Sequence, residues 1–398
     1  MSARAERQRH GIGWDGREAD FTLLLAIAAL LGVGLVMVAS ASMSLAEKDY
    51  GGPLYFFNRQ LVAVAVGLGG AAVAMRIPTA TWQRLGPLLA VGAFVLLCAV
   101  LLPGLGRTVN GSTRWLNVAG VNLIQVSEPA RLLLLLYIAG YAVRQNEALR
   151  SSFAGFARPL AVSGAACMLL LLQPDFGAAL MLMTMTLAVL FIAGGRLRDF
   201  FLCGGVIAML GGLLAVAAPY RLVRLTSFLD PWRDPYNSGF QLTQSLIAIG
   251  TGQWTGMGLG GSVQKLFYLP EAHTDFVFAV IAEEFGLLGS VVLIALFGVV
   301  VWRALLISRQ AALRERLFQA SVAFGFAIWQ AAQVFINIGV NMGILPTKGL
   351  TLPLVSYGRS SIIITLIGYG LLLRIDRENR PGNGGVRQRG AAAWRRGT

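Results

Sequence analysis

Tyr268-Leu-Pro-Glu-Ala-His-Thr-Asp275-Phe-Val-Phe-Ala-Val-Ile-Ala-Glu283-Glu284-Phe-Gly286 passes from a polar segment directly into an apolar run that continues to residue 301. A run of that length crosses the ~30 Å hydrocarbon core of a bilayer as a helix. The stretch holds four carboxylates, Glu271, Asp275, Glu283 and Glu284, and His273, the one histidine outside the N-terminal tail. Charge at a membrane boundary is costly to hold, so each of these groups needs a partner or a function.

The rest of the chain has the same character. It is 56% hydrophobic and 13% charged, with a mean hydropathy of +0.66, values of an integral membrane protein rather than a soluble domain. The net charge of +14 does not point to nucleic acid, because the basic residues cluster between apolar runs, where they orient the chain and meet anionic lipid. Cys98, Cys167 and Cys203 lie inside apolar runs and read as small core hydrophobes rather than a disulfide framework.

Apolar runs occupy residues 21–43, 57–75, 86–102, 129–143, 159–172, 177–193, 200–218, 275–301, 318–343 and 360–373. The expected fold is an all-α integral membrane protein of ten transmembrane helices, residues 21–375, with both termini on one side. Of the 33 Lys and Arg residues, 22 fall in the tails and loops of that side, which makes it cytoplasmic. Residues 1–20 form a cytoplasmic tail, and the Gly/Arg-rich residues 376–398 read as a disordered basic tail.

The two long outer loops, about residues 103–128 and 219–274, exceed what a helix connection requires, and loops of that length are often functional. They carry Arg107, Arg114, Trp115, Arg221, Arg224 and Lys265, and later outer segments add Lys348 and Arg359. Cations on the side that topology leaves poor in them suggest a bound anion. Arg114-Trp115 would either pin its loop to the headgroup belt or offer a sugar-stacking surface beside a phosphate-binding cation.

Asp275 stands where the eighth span is expected to begin. Thr or Asp there would cap the helix, and a cap would also hold the carboxylate at the interface. The helix terminus weakens it as a base while burial beside lipid strengthens it. General base, electrostatic stabiliser and divalent-cation ligand all stay open for Asp275. Glu283 and Glu284 lie roughly 12–13 Å deeper at 1.5 Å per residue; at least one should meet an Arg, a hydroxyl or water, as a structural pair or on a proton path. Glu128 and Arg131, three apart, share a helix face as a local ion pair. Two histidines exclude a His-rich zinc site, and there is no Walker A motif. Gly256-Met-Gly-Leu-Gly260-Gly lacks the strand–helix setting of a nucleotide loop and reads as a flexible turn.

Five motifs carry a resemblance that covers roughly residues 20–375. They are Val109-Asn-Gly-Ser-Thr-Arg-Trp-Leu116, Gln173-Pro-Asp-Phe-Gly177, Phe228-Leu-Asp-Pro-Trp232, Gln264–Phe276 and Asn341–Gly358. On them the chain resembles the SEDS family (shape, elongation, division and sporulation), and its cell-division branch more than its rod-elongation branch. The resemblance implies a ten-span peptidoglycan glycosyltransferase that polymerises lipid II at the division septum, in the cytoplasmic (inner) membrane. The essential Asp of the His-Thr-Asp-Phe motif falls on Asp275, and the Arg-Trp pair on Arg114 and Trp115. Implied partners are the growing glycan strand, a class B penicillin-binding protein of FtsI type, and the regulators FtsQ, FtsL and FtsB. Two departures stand out: Gly358-Arg359-Ser360-Ser361 where the family has Gly-Gly-Ser-Ser, and Gln125-Val-Ser-Glu-Pro-Ala-Arg131 where it has Gln-Pro-Ser-Glu-Leu-Ala-Lys.

The expected chemistry is inverting transfer at the outer leaflet, with Asp275 as catalytic carboxylate. Arg107, Arg114, Trp115, Lys265, His273 and Lys348 are the expected substrate-binding residues. Glu128, Arg131, Glu271, Glu283 and Glu284 are expected in support, with a divalent cation (Mg or Mn) as the candidate cofactor for sharing in charge neutralisation. The alternatives are a lipid II flippase, a rod-elongation type polymerase, and a division scaffold whose outer loops bind other septal proteins.

Overall fold

The computed structural model describes residues 20–109, 111–118, 121–216 and 226–380. Both tails beyond this range, and Arg221 and Arg224, lie outside the described residues. Within it the helices are α1 (Phe21–Tyr50), α2 (Tyr55–Arg76), α3 (Thr79–Ala99), α4 (Ser127–Arg144), α5 (Asn146–Ser151) and α6 (Phe153–Leu172). They continue with α7 (Phe176–Ile192), α8 (Leu197–Val216), α9 (Phe240–Gly252), α10 (Val277–Leu313), α11 (Leu317–Asn341) and α12 (Arg359–Glu378).

A helix lies over every apolar run, because in lipid the backbone must satisfy its own hydrogen bonds. Six of them, α1, α2, α3, α6, α10 and α11, are long and apolar enough to cross a membrane, which makes this a helical multi-pass membrane protein. α2 packs on α12, α3 on α4, and α11 on both α10 and α7. Trp329, Phe326, Leu134, Leu135 and Ile138 are fully buried between them. Leu61, Val62, Val66, Val91 and Val95 point outward from α2 and α3, as suits side chains solvated by lipid tails. Cys98 is among these exposed positions, so only Cys167 of the three cysteines belongs to the core.

Three expectations need correction. The first long loop is a three-stranded antiparallel sheet, β1 (Gly106–Val109), β2 (Ser112–Val118) and β3 (Val121–Gln125), so the chain is not all-α. Register places Arg107 opposite Trp115, and Trp115 opposite Gln125. The Asn110-Gly111 dipeptide between β-formers is the signal that announces this hairpin. The second long loop contains α9. The C-terminal tail starts later than residue 376, because α12 runs to Glu378 and Arg380 pairs with Asp376 one turn back. The displaced Pro129 falls in the first turn of α4, where the N–H it lacks has no intrahelical partner in any case.

α10 is interrupted. Gly286 adopts φ 66°, ψ −161°, and the chain of residues 253–258 folds back onto the break. Leu287 N donates to Gln253 O at 2.8 Å, Leu288 N to Trp254 O at 3.1 Å, and Met257 N and Gly258 N to Glu283 O and Glu284 O at 3.0 Å each. The glycine run 256–261 is therefore a hydrogen-bonded return, not a flexible turn. A Cβ on Gly286 would lie 2.5 Å from Gly256 N and 2.6 Å from Thr255 N. Gly286→Ala is expected to cost at least about 1–3 kcal/mol from backbone conformation alone. Thermal unfolding of the detergent-solubilised variant checks this, and an unchanged midpoint would count against it.

Candidate active site

The loop that leads into α10 turns on Glu271, which sits at φ 56°. Its carbonyl accepts from Thr274 N and Asp275 N at 3.1 Å and from Phe276 N at 3.2 Å. Its carboxylate accepts from Thr274 Oγ1 at 2.7 Å. α10 begins at Val277 behind Phe276, with no side chain capping it. Asp275 is thus not the cap expected of it, and its carboxylate is left to face other elements.

The Asp275 carboxylate rests against the irregular segment after α11: a Cβ on Gly349 would lie 2.9 Å from Oδ2. Burial pushes the Asp275 carboxyl up to about 7; the neighbouring Glu271 charge adds to the rise and the Arg114 guanidinium opposes it. Desolvation, not a helix dipole, governs this group. Lys348 is half-buried, its ammonium pKa lowered by the same desolvation. Among the described residues its side chain has neither hydrogen bond nor ion pair.

Arg114, 28% exposed, reaches from β2 to Asp175 at 3.8 Å and donates to Pro174 O at 2.8 Å and Ser112 Oγ at 3.0 Å. Asp175 in turn caps α7 by accepting from Ala178 N at 3.1 Å. The structure thus brings together Asp275, Glu271, Arg114 and the Gly349 segment that follows Lys348. Arg107 is exposed on β1 and Trp115 is half-buried beside it in the sheet. Arg359 opens α12 near Tyr357, whose hydroxyl pKa burial pushes up, with the Arg359 charge opposing that rise.

Two expected substrate contacts turn out to be engaged elsewhere. Lys265, 8% exposed, bonds Glu284 at 2.6 Å and Ser40 Oγ at 2.8 Å, so it points inward and not to an outer anion. His273 is buried between Phe56 and Tyr357, with ring centroids 4.8 and 5.6 Å away, and its carbonyl accepts from Tyr357 N at 2.9 Å. It packs the loop in place.

Glu283, Glu284 and Glu128 each meet a hydroxyl or a cation. Glu283 accepts from Ser262 Oγ and from Val263 N at 3.0 Å. Glu128 and Arg131 form a buried pair on α4, and Arg131 also lies 4.8 Å from the Trp329 ring. Asp175, Asn337 and Asn341 were not singled out from the sequence. The i,i+4 spacing of two amides within an apolar span is the signal that would have flagged the asparagines. Among the described residues no three His, Cys, Asp or Glu side chains gather as a cation site. Glu271 and Asp275 are a pair, and two carboxylates suit a Mg-type ion only together with substrate phosphates.

Fold and site together define a multi-pass helical membrane protein with a desolvated loop carboxylate, set near Glu271 and the Arg114 guanidinium, at one end of its bundle. The chain belongs to the SEDS family, matching over residues 21–381 the family described as "Cell cycle protein", which groups FtsW, RodA and SpoVE. It is 56% identical over 359 residues to the probable peptidoglycan glycosyltransferase FtsW of Thioalkalivibrio sulfidiphilus, covering 90% of each chain. It is 50% identical over 361 residues to the protein of that name from Legionella pneumophila, covering 91% of each. Among solved structures it is similar to a chain of a peptidoglycan synthase complex that coordinates polymerization and crosslinking (TM-score 0.75, 31% identity, 91% of this chain and 99% of that one). It is also similar to the rod shape determining protein RodA of Thermus thermophilus (TM-score 0.66, 30% identity, 91% of this chain and 98% of that one).

Proposed function

We infer that this protein is a peptidoglycan glycosyltransferase of the septal type, polymerising lipid II into glycan strands at the outer face of the cytoplasmic membrane. The observation that carries the chemistry is the Asp275 carboxylate, held near neutral pKa on an outer loop beside Arg114 and the Lys348 segment. Ten spans with both termini inside put that loop at the outer leaflet, where the lipid-linked donor presents its headgroup. A class B penicillin-binding protein is the crosslinking partner on this reading, and FtsQ, FtsL and FtsB are the regulators.

The acceptor 4-hydroxyl attacks the anomeric carbon of the donor, the bond to the polyprenyl pyrophosphate breaks, and the configuration inverts in one displacement. Asp275, as carboxylate, takes the hydroxyl proton. Arg114 and Lys348 offset the charge that develops on the pyrophosphate. A divalent cation, where present, would be held by Asp275 and Glu271 and would neutralise part of the same charge. Purified protein supplied with lipid-linked precursor should yield glycan chains on a gel. Headgroup translocation in vesicles without chain formation would instead favour a flippase.

The pH dependence follows from the carboxyl's position at about 7. A general base must be unprotonated, so kcat/KM should rise with pH through about 7 and level off above it. Glu271→Gln removes a like charge, lowers the Asp275 pKa and moves the acidic limb to lower pH. A pH–rate profile that does not move in Glu271→Gln contradicts the assignment.

A further inference from the structure

Asp275 makes no side-chain hydrogen bond among the described residues, so its carboxylate is aimed by its backbone alone. Two buried asparagines of α11, four residues apart and on one face, hold that backbone. Asn341 Nδ2 donates to Asp275 O at 3.0 Å, and its Oδ1 accepts from Ala279 N at 3.2 Å in the first turn of α10. Its own carbonyl accepts from Ser245 Oγ of α9 at 2.8 Å. Asn337 Nδ2 donates to Asp275 O at 2.9 Å and also to Leu350 O at 2.6 Å. One amide nitrogen therefore bridges the residue bearing the carboxylate and the residue two beyond Lys348.

The orientation of Asn337 is set by these two carbonyls. Its Oδ1 is buried with no hydrogen-bond partner, an arrangement that native interiors rarely keep. The side chain is thus turned to serve its donor rather than to satisfy itself. Around it the two segments close on each other until the Asp275 carboxylate meets the bare Cα of Gly349. Gln333, one turn earlier on α11, extends the same seam by donating to Thr351 O at 2.9 Å.

We propose that Asn337 is a positioning residue for glycosyl transfer, fixing the Asp275 carboxylate in register with the Lys348–Leu350 segment, with Asn341 locking the Asp275 side of that joint. The inference rests on reading Asp275 as the essential carboxylate. A helix-packing role alone would need no single donor shared between the two segments. With the joint intact, a side chain added at residue 349 cannot push the segments apart, so it displaces the carboxylate instead.

Steady-state polymerisation by the full-length protein in detergent, with lipid-linked precursor, tests this. Asn337→Ser keeps one hydroxyl donor but is too short to span both carbonyls. Its kcat should fall about 100-fold, as a misplacement near 1 Å allows, with KM unchanged. Gly349→Ala should fall comparably, and the double variant should lose little more than either alone, because both displace the same carboxylate. A folded Asn337→Ser with wild-type kcat overturns the proposal, and so does a strictly additive double variant. A raised KM and lowered melting point with kcat intact would mean a structural joint only, and also overturns it. If Asn337→Ser does not fold, the same cycle is run with Asn341→Ser, and additivity there overturns it equally. Asp275→Asn is assayed alongside. Wild-type turnover in that variant sinks the reading of the carboxylate itself, whereas an inactive Asp275→Asn beside a fully active Asn337→Ser sinks only the positioning role.

Discussion

Asp275→Asn is expected to remove polymerisation while leaving the protein folded. Asparagine matches the shape of aspartate, and the Asp275 side chain has no hydrogen bond to lose among the described residues, so the fold has little reason to change. What disappears is the proton acceptor and the negative charge. Losing one group aimed at a transition state costs roughly 3–4 kcal/mol, or about 100- to 1000-fold in rate. Because burial disfavours the ionised form of this carboxyl, the substitution also relieves a desolvation cost, and the melting point should hold or rise slightly. Glycan-chain gels and a melting curve on the same preparation check both halves. Wild-type chain yield, or loss of folded protein in place of loss of turnover, would refute the expectation.

Glu128→Ala should instead act on stability. Arg131 is 2% exposed, pairs with Glu128 one turn earlier, and among the described residues otherwise has only Gln333 at 3.5 Å and the Trp329 ring. Removing the carboxylate leaves a buried guanidinium uncompensated, which typically costs about 3–5 kcal/mol. Replacing both partners by apolar residues of similar size, Glu128→Leu with Arg131→Met, should return most of that stability, since neither charge then needs solvation. Denaturation in detergent would separate the cases. Equal melting points for the single and the double variant would show that the buried charge is not what the carboxylate offsets.

The helices were legible because lipid imposes a simple rule on sequence: long apolar runs must close their own backbone bonds, and each run became a helix. The Glu128–Arg131 pair was legible for a similarly local reason, i,i+3 spacing on one face. Lys265 was not. Its partners, Glu284 and Ser40, stand 19 and 225 residues away in the chain, and no local pattern tells an outward lysine from one folded under a returning loop. The break at Gly286 was hidden because the apolar run continues through it unchanged, and only the carbonyls captured by residues 257 and 258 reveal it. The setting of Asp275 was not legible either: it was expected as a helix cap, whereas Phe276 takes the N-cap position and Asp275 stands one residue before it.

The interruption at Gly286 bears on where the carboxylate takes its coordinates from. α10 follows Asp275 by two residues and, through the Arg303–Asp20 ion pair at 2.6 Å, is moored at the opposite face of the bundle. A continuous rod would transmit a tilt at that mooring straight to the site. Here the rod is jointed about two turns below its head, and the upper piece is bolted by Asn337 and Asn341 to α11, which runs unbroken from Leu317 to Asn341. The reference frame of the carboxylate is therefore α11, and the helix that follows it in the chain is mechanically the passenger.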